Sequence, residues 1–267
     1  MADDPTPATD VPPAAAELVE AARELVAAAR RVVVLTGAGI STGAGIPDFR
    51  GPEGLWTRNP GAERASTIHT SVADEEARKA SWRMHLDERL VGARPTPGHH
   101  ALVDLERQRR LLHLATQNID GLHQLAGTSA GLLTEVHGSI AGVACLECGE
   151  RGPVEPVRER LRAGEEDPRC RTCGGILKTT VVMFGELLPP GAMERCRDAV
   201  LAGDLFLAVG TTLEVSPVNE MAFMAHERGL PIVIVNAGDT AADHLAAVKV
   251  EGSISHALPL IVDFREC

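Results

Sequence analysis

Four of the six cysteines form two C-x-x-C pairs, Cys145 and Cys148 in CLECG and Cys170 and Cys173 in CRTCG. A glycine follows each pair and permits the tight knuckle that a metal demands. The 21 residues between the pairs, 149–169, sit at the edge of the spacing usual for a zinc ribbon. Four thiolates so placed suit tetrahedral Zn2+, with Zn–S near ~2.3 Å. Four sulfur ligands leave no open position, so the expected metal is structural. The competing chemistry is two disulfides or a redox C-x-x-C. With no secretion signal at the N-terminus, stable disulfides are disfavoured. Cys196 and Cys267 fall outside the pattern and read as a buried thiol and a tail thiol.

A second constellation is GAGIST, residues 37–42. Gly37 allows a tight turn, and Gly39 lets the backbone approach a pyrophosphate. The N-terminus of a following helix would offer N–H donors to the anion. The usual third glycine would fall at Thr42, with Gly43 beside it, and no acidic residue ends a second strand about 20 residues later. Those departures disfavour a plain dehydrogenase. The loop reads as a nucleotide site, the alternative being a tight turn without ligand. The next stretch, GAGIPDFRGPEGLW (43–56), holds four Gly and two Pro and is a loop. It carries Asp48, Phe49 and Arg50 together, the composition of a lid beside a phosphate site. An imidazole with a pKa near ~6.5 suits proton abstraction at neutral pH. Ten histidines leave the choice among them open.

The elements that must hold these groups follow from apolar patterning. Residues 14–31 place Leu18, Ala22, Leu25, Val26 and Ala29 on one helical face. VVVLT (32–36) is a fully apolar strand that runs into the glycine turn. LLHLAT (111–116), LFLAVG (205–210) and PIVIVN (231–236) repeat that character, with TTVV (179–182) and VKV (248–250) as shorter candidates. Helical patterns over 97–108, 189–203, 217–229 and 253–262 separate them. The expected fold is α/β, a Rossmann-like doubly wound parallel sheet covered on both faces. Asn118 and Asp120 follow a strand and so lie at the carboxyl edge of the sheet, where ligands bind in open α/β sheets. The alternative for them is an Asx turn capping the next helix. Two stretches break the alternation: 51–95, polar and helical, and 141–177, which carries the cysteines. The expected organisation is a disordered tail over 1–13, a Rossmann-like domain from 14–50, 96–140 and 178–265, and a small domain from 51–95 and 141–177.

Composition narrows the partners. The chain has 267 residues, 44% of them hydrophobic, and a net charge of −11. An acidic protein with 3% aromatics and no Tyr lacks both the basic footprint and the stacking platform of a nucleic-acid binder. No apolar run approaches the roughly 18 residues of a membrane span. The acidic, Pro-rich N-terminus has no secretory signature. A bacterial cytoplasmic location is expected, and the residues name no oligomeric state. Only three of the 26 basic residues are lysines, Lys79, Lys178 and Lys249, a bias read as genome composition.

GAGIS followed by GIPDFR resembles the signature of the sirtuins, the NAD-dependent protein-lysine deacylases. TQNID (116–120), EVHG (135–138), the two C-x-x-C pairs, VVMFGE (181–186), GTTLEVSP (210–217) and VNAGD (235–239) match the family pattern in order. The resemblance spans about residues 18–262 and implies NAD as co-substrate, a structural zinc and acyl-lysine proteins or peptides as partners. It implies attack of the acyl oxygen on the nicotinamide ribose, release of nicotinamide, then transfer of the acyl group to ADP-ribose with a general base assisting. His137 in EVHG is that base by resemblance. Asn118 would orient ribose and a water, Asp120 would bind the carboxamide, and Gln117 and Ile119 would complete that edge. Gly37, Ala38, Gly39 and Ser41 would line the diphosphate and ribose, with Asp48, Phe49 and Arg50 on the covering loop. Gly210, Thr211, Thr212, Asn236, Ala237, Gly238 and Ile254 would hold the adenosine half. Val182, Phe184, Gly185, Glu186 and Val215 would form the acyl-lysine channel, the peptide adding as a strand between their loops.

Two positions depart from the pattern: Thr212 where relatives carry Ser, and Thr179 where they carry Pro. Relatives that prefer acidic acyl groups carry a Tyr and an Arg three residues apart in the segment after the cofactor loop. This chain has no Tyr, and Arg58 and Arg64 make no matching pair, so acetyl or another neutral acyl group is expected. A mono-ADP-ribosyltransferase on the same fold and a non-catalytic NAD-sensing zinc-ribbon scaffold are the alternatives.

Overall fold

The computed structural model describes residues 13–49, 51, 54–58, 61 and 66–263. A helix, α1 (Pro13–Ala28), leads into β1 (Val32–Thr36). Pro13, read as the end of the tail, instead opens the helix, where its missing N–H is no loss. The helix stops at Ala28, short of the expected Arg31. The Asp204 carboxylate accepts the backbone N–H groups of Arg30 (3.0 Å) and Arg31 (2.8 Å), which draws the chain out of the helix. Residues 1–12, Arg50, Arg64 and Cys267 lie outside the described residues.

Six parallel strands form the main sheet: β1, β2 (Leu111–Thr116), β3 (Leu133–Glu135), β7 (Leu205–Val209), β8 (Ile232–Asn236) and β9 (Val248–Glu251). Their order is β3-β2-β1-β7-β8-β9, and every pairing is parallel. This is the doubly wound arrangement, and its order reverses between β1 and β7. β1, β7 and β8 are buried at every position, because helices cover both faces. Alternation sorts their side chains. Val32 and Val34 join one cluster with Ala22, Val26, Leu102, Leu105 and Leu258. Val33 and Leu35 join the other with Met193, Cys196, Val200 and Met221.

A second, three-stranded antiparallel sheet has the order β5-β4-β6, from β4 (Gly142–Cys145), β5 (Arg151–Pro153) and β6 (Leu177–Thr179). Here the expected strand at 179–182 is corrected. Leu177–Thr179 pairs antiparallel with β4, outside the parallel sheet, and the next residues leave as a loop. The polar anchors explain the change: Thr180 N–H donates to Gly142 O (2.9 Å), and its hydroxyl donates to Ser139 O (2.9 Å). The boundary expected at 178 thus falls inside a strand. A third apolar cluster joins Trp82, from the helix Glu75–Met84, to Val143, Val154, Val157 and Leu177 of the cysteine-bearing segment. Arg78 of that helix forms a forked ion pair with Asp167 (2.9 Å at the closest), both nearly inaccessible to solvent. The Arg78 guanidinium also donates to the carbonyls of Ser71 and Val72. No helix among the described residues is long and apolar enough to cross a membrane.

Candidate active site

The site opens where the strand order reverses, at the carboxyl ends of β1 and β7. Gly37 and Gly39 follow β1 and lie directly on Gly210, which follows β7. Gly37 N–H donates to Val209 O (3.0 Å) and Gly39 N–H to Gly210 O (2.9 Å). A Cβ on Gly37 would lie 2.6 Å from Gly210 O, and one on Gly39 would lie 2.7 Å from the Gly210 Cα. Gly210 itself has φ +64°, a left-handed conformation that glycine adopts freely. The glycines are thus required by backbone against backbone. The helix expected to follow this turn is corrected to two short 3₁₀ turns, Ala38–Ile40 and Thr42–Ala44. The cross-loop bond of Gly39 and the bond from Thr42 Oγ1 to Gly39 O (3.0 Å) close the chain before an α-helix can start.

Ser41 is buried beneath this loop, and its hydroxyl donates to Asp120 Oδ2 (2.7 Å). Asn118, 7% exposed, donates through Nδ2 to Gly37 O (3.1 Å) and to Ser41 Oγ (3.2 Å). Gln117 Nε2 donates to Thr211 Oγ1 (2.8 Å), tying the β2 edge to the β7 edge. Asp120 Oδ1 accepts the Leu122 N–H (2.9 Å), so the Asx turn is present as well. Burial pushes the Asp120 carboxyl above its ordinary range, against the opposing hydrogen bonds from Leu122 and Ser41.

His137 follows β3, a strand of three residues that periodicity does not mark. Its Nδ1 lies 3.1 Å from Gln117 O. A carbonyl only accepts, so Nδ1 carries the proton and Nε2 keeps a free lone pair. Burial lowers the His137 pKa, and the bond to the Gln117 carbonyl offsets part of that. The carbonyl of His137 accepts the Val182 N–H (2.8 Å), which brings VVMFGE to the same edge. Phe184 pairs in parallel with Thr67: its N–H donates to Ser66 O and its carbonyl accepts the Ile68 N–H, both at 3.0 Å. Gly185 has φ +91°, and Glu186 turns its carboxylate back toward Lys178 and the Met183 N–H.

Other expected residues lie on loops and at the ends of elements. Ile119 O accepts the Ile140 N–H (3.0 Å). Asp48 accepts the Gly51 N–H (3.0 Å) and shapes the loop that carries Phe49. Thr211 is buried, and Thr212 is half-buried with its carbonyl taken by the Ala241 N–H (2.9 Å). Asn236 Nδ2 donates to Gly238 O (2.9 Å) and so sets the exposed turn of Ala237 and Gly238 after β8. Ile254 is buried at the start of the last helix, and Val215 is half-buried after the Thr212 loop.

A buried polar chain under the glycine loop escaped the motif reading. Thr36 Oγ1 donates to Thr116 Oγ1 (2.8 Å), which accepts the Asn118 N–H (3.1 Å). Thr36 Oγ1 also meets His123 Nε2 (2.9 Å), and the His123 ring packs on that of His99 with centroids 4.8 Å apart. The signal lay in two apolar strands that each end in Thr, positions that pair in register. Burial holds His123 down to about 3 and His99 to about 4, and it lowers His85, beside Trp82, to about 4. All three are therefore neutral in the folded protein, while the unfolded chain protonates near ~6.5. Stability is full above that value and is lost as pH falls toward about 4, by up to ~1.4 kcal/mol per unit for each histidine. The melting temperature is expected to drop steadily from pH 7 to pH 5; a flat profile would show that these rings are not buried neutral.

The four cysteines meet at one end of the small sheet. Their sulfurs all lie within 4.8 Å of one another, with Cys145 and Cys173 at 3.5 Å and Cys148 and Cys170 at 3.7 Å. A ZnS₄ tetrahedron with ~2.3 Å bonds has edges of ~3.8 Å, so the donor set fits one structural Zn2+. None of the four is joined in a disulfide.

A sequence model of the Sir2 family matches residues 37–217. The chain belongs to the Sir2 family. It is 46% identical over 231 residues to NAD-dependent protein deacetylase 2 of Streptomyces coelicolor, covering 86% of this chain and 96% of that protein. Among solved structures, one described as the structural basis for the mechanism and regulation of Sir2 enzymes shares 38% identity. Its TM-score is 0.84, and 92% of this Sir2 chain and 96% of that one are covered. A Sir2 complex with a deacetylated p53 peptide and 3′-O-acetyl ADP-ribose also reaches a TM-score of 0.84, at 30% identity. It covers 91% of this chain and 96% of that one.

Proposed function

We propose that this chain is an NAD-dependent protein-lysine deacetylase that works at the crevice between β1, β2 and β7. One observation carries the reading: His137 Nδ1 is bound to the carbonyl of Gln117, next to Asn118, which meets Ser41 and through it Asp120, and the His137 carbonyl anchors the VVMFGE loop. When bound, NAD supplies the electrophilic ribose carbon and a nicotinamide leaving group. Gly37, Ala38 and Gly39 offer it a floor without bulky side chains. Ser41 would line the diphosphate and ribose with them, Asp120 would bind the carboxamide, and Gln117, Asn118 and Ile119 would take the ribose side. Gly210, Thr211, Thr212, Asn236, Ala237, Gly238 and Ile254 would hold the adenosine half. Phe49 on its Asp48-shaped loop would exclude water from the reacting centre, and Arg50 would engage phosphate or order that loop.

His137 Nε2 would act as the general base, accepting a proton from the ribose of bound NAD. Val182, Phe184, Gly185 and Val215 would line the acyl-lysine channel, and backbone pairing would make recognition tolerant of peptide sequence. Glu186 serves that channel through the loop it holds, because its carboxylate is engaged with Lys178. The partners we propose are acyl-lysine proteins in a bacterial cytoplasm, with acetyl preferred over acidic acyl groups. The two stretches that share the Trp82 cluster act as one small domain beside the NAD-binding domain.

The test is mass spectrometry of an acetyl-lysine peptide with and without NAD, with a succinyl-lysine peptide in parallel. Deacetylated peptide and O-acetyl-ADP-ribose, appearing only with NAD, are expected. Faster turnover of the succinyl peptide would overturn the acyl preference. ADP-ribose attached to protein, with no lysine released, would replace deacetylation by ADP-ribosyl transfer.

A further inference from the structure

Lys178 has no part in the chemistry above, yet it is 7% exposed and fully committed. The other two lysines sit among surface carboxylates, Lys79 against Glu75 and Glu76, and Lys249 against Asp243 and Glu251. Lys178 instead points into its own downstream chain. Its Nζ donates to Thr179 O (3.0 Å) and to Val181 O (2.7 Å) and pairs with Glu186 Oε2 (2.9 Å). Three acceptors use the three N–H donors of one ammonium. The same Glu186 oxygen accepts the Met183 N–H (2.9 Å). One charge thus clasps residues 179–186 from behind. A planar guanidinium presents its donors in a flat fork and cannot reproduce three diverging bonds. That gives a chemical reason for a lysine here, in a chain that otherwise favours arginine.

The clasped segment is the one tied to His137 O through the Val182 N–H. We propose that Lys178 is a positioning residue for the acyl-lysine peptide. It holds residues 179–186 in their looped course, closed by the Glu186 N–H to Met183 O bond, before the peptide arrives, so that binding does not have to order the loop. The inference rests on the reading of that loop as the peptide site. Lys178 itself touches no reacting atom.

The test compares wild type with Lys178→Met, Lys178→Arg and the double variant K178M/E186Q, which leaves no carboxylate without its cation. Steady-state kinetics on an acetyl-lysine peptide give the KM for peptide, the KM for NAD and kcat. Hydrogen exchange reads the amides of residues 182–186. The expected result is a peptide KM raised about tenfold in Lys178→Met and in the double variant, with NAD KM and kcat within about threefold. Amide exchange in the loop rises by about tenfold in the same variants, and Lys178→Arg restores neither fully. A fall in kcat matching a smaller folded fraction, with peptide KM and loop exchange unchanged, would overturn the proposal. If the wild type turns over no acyl-lysine peptide, the reading of the loop falls, and the exchange data alone decide whether Lys178 holds it.

Discussion

His137→Ala is expected to lower kcat for deacetylation by about a hundredfold to ten-thousandfold, the range a positioned general base contributes. The fold should survive. His137 is half-buried, and its ring bond ends on a backbone carbonyl that water can satisfy. NAD and peptide affinities should stay within about threefold, because the loss falls on the step that needs a base. The pH profile adds a second reading. Burial lowers the His137 pKa, so the neutral, proton-accepting ring persists below its ordinary range. The acid limb of kcat/KM should therefore turn below about 6.5. Full activity in the alanine variant, or an acid limb centred well above that value, would remove the assignment.

Removal of zinc should have the next largest effect. Structural zinc sites supply about 10 kcal/mol or more of folding free energy to the modules that enclose them. Here Cys145 ends β4, and Cys145 and Cys170 are part of the apolar cluster that includes Trp82. Cys145→Ser is expected to lose the metal, lower the melting temperature by roughly 10 °C and break cooperative unfolding. Activity should fall with it, since β6 leaves the small sheet and becomes the loop bonded to His137. One zinc per chain by elemental analysis is the companion expectation. Protein with all four thiols reduced, no zinc and unchanged stability would refute the structural role.

Much of this was written locally in the chain. VVVLT, LFLAV and IVIVN announce buried strands because helices cover both of their faces, so no polar alternation is needed. The cysteine pairs announce their cluster because knuckle spacing is a local property. GAGIS, TQNID and EVHG were legible as motifs, and the sheet brings all three to one edge. What the residues hid depended on register and on distant partners. β3 is three residues long and becomes a strand only by pairing with β2. The strand read at 179–182 moved to the small sheet because Thr180 finds its partners at Gly142 and Ser139. The inward turn of Glu186 needs Lys178, and the Thr36–Thr116–His123 chain needs two strands 80 residues apart to pair in register. Side-chain type alone announces neither.

The contact of Gly37 and Gly39 with Gly210 bears on how this enzyme can change. The floor of the crevice there consists of peptide groups, and a methyl at any of the three positions would collide with backbone at 2.5–2.7 Å. Backbone cannot step aside as a side chain can. That stretch of wall has no tolerated single-residue neighbours, so drift and selection must act elsewhere: on the covering loop, the helical stretch over 66–91 and the rim near Phe184 and Val215. A lineage sharing this fold is free to change those surfaces while the wall of peptide groups stays frozen.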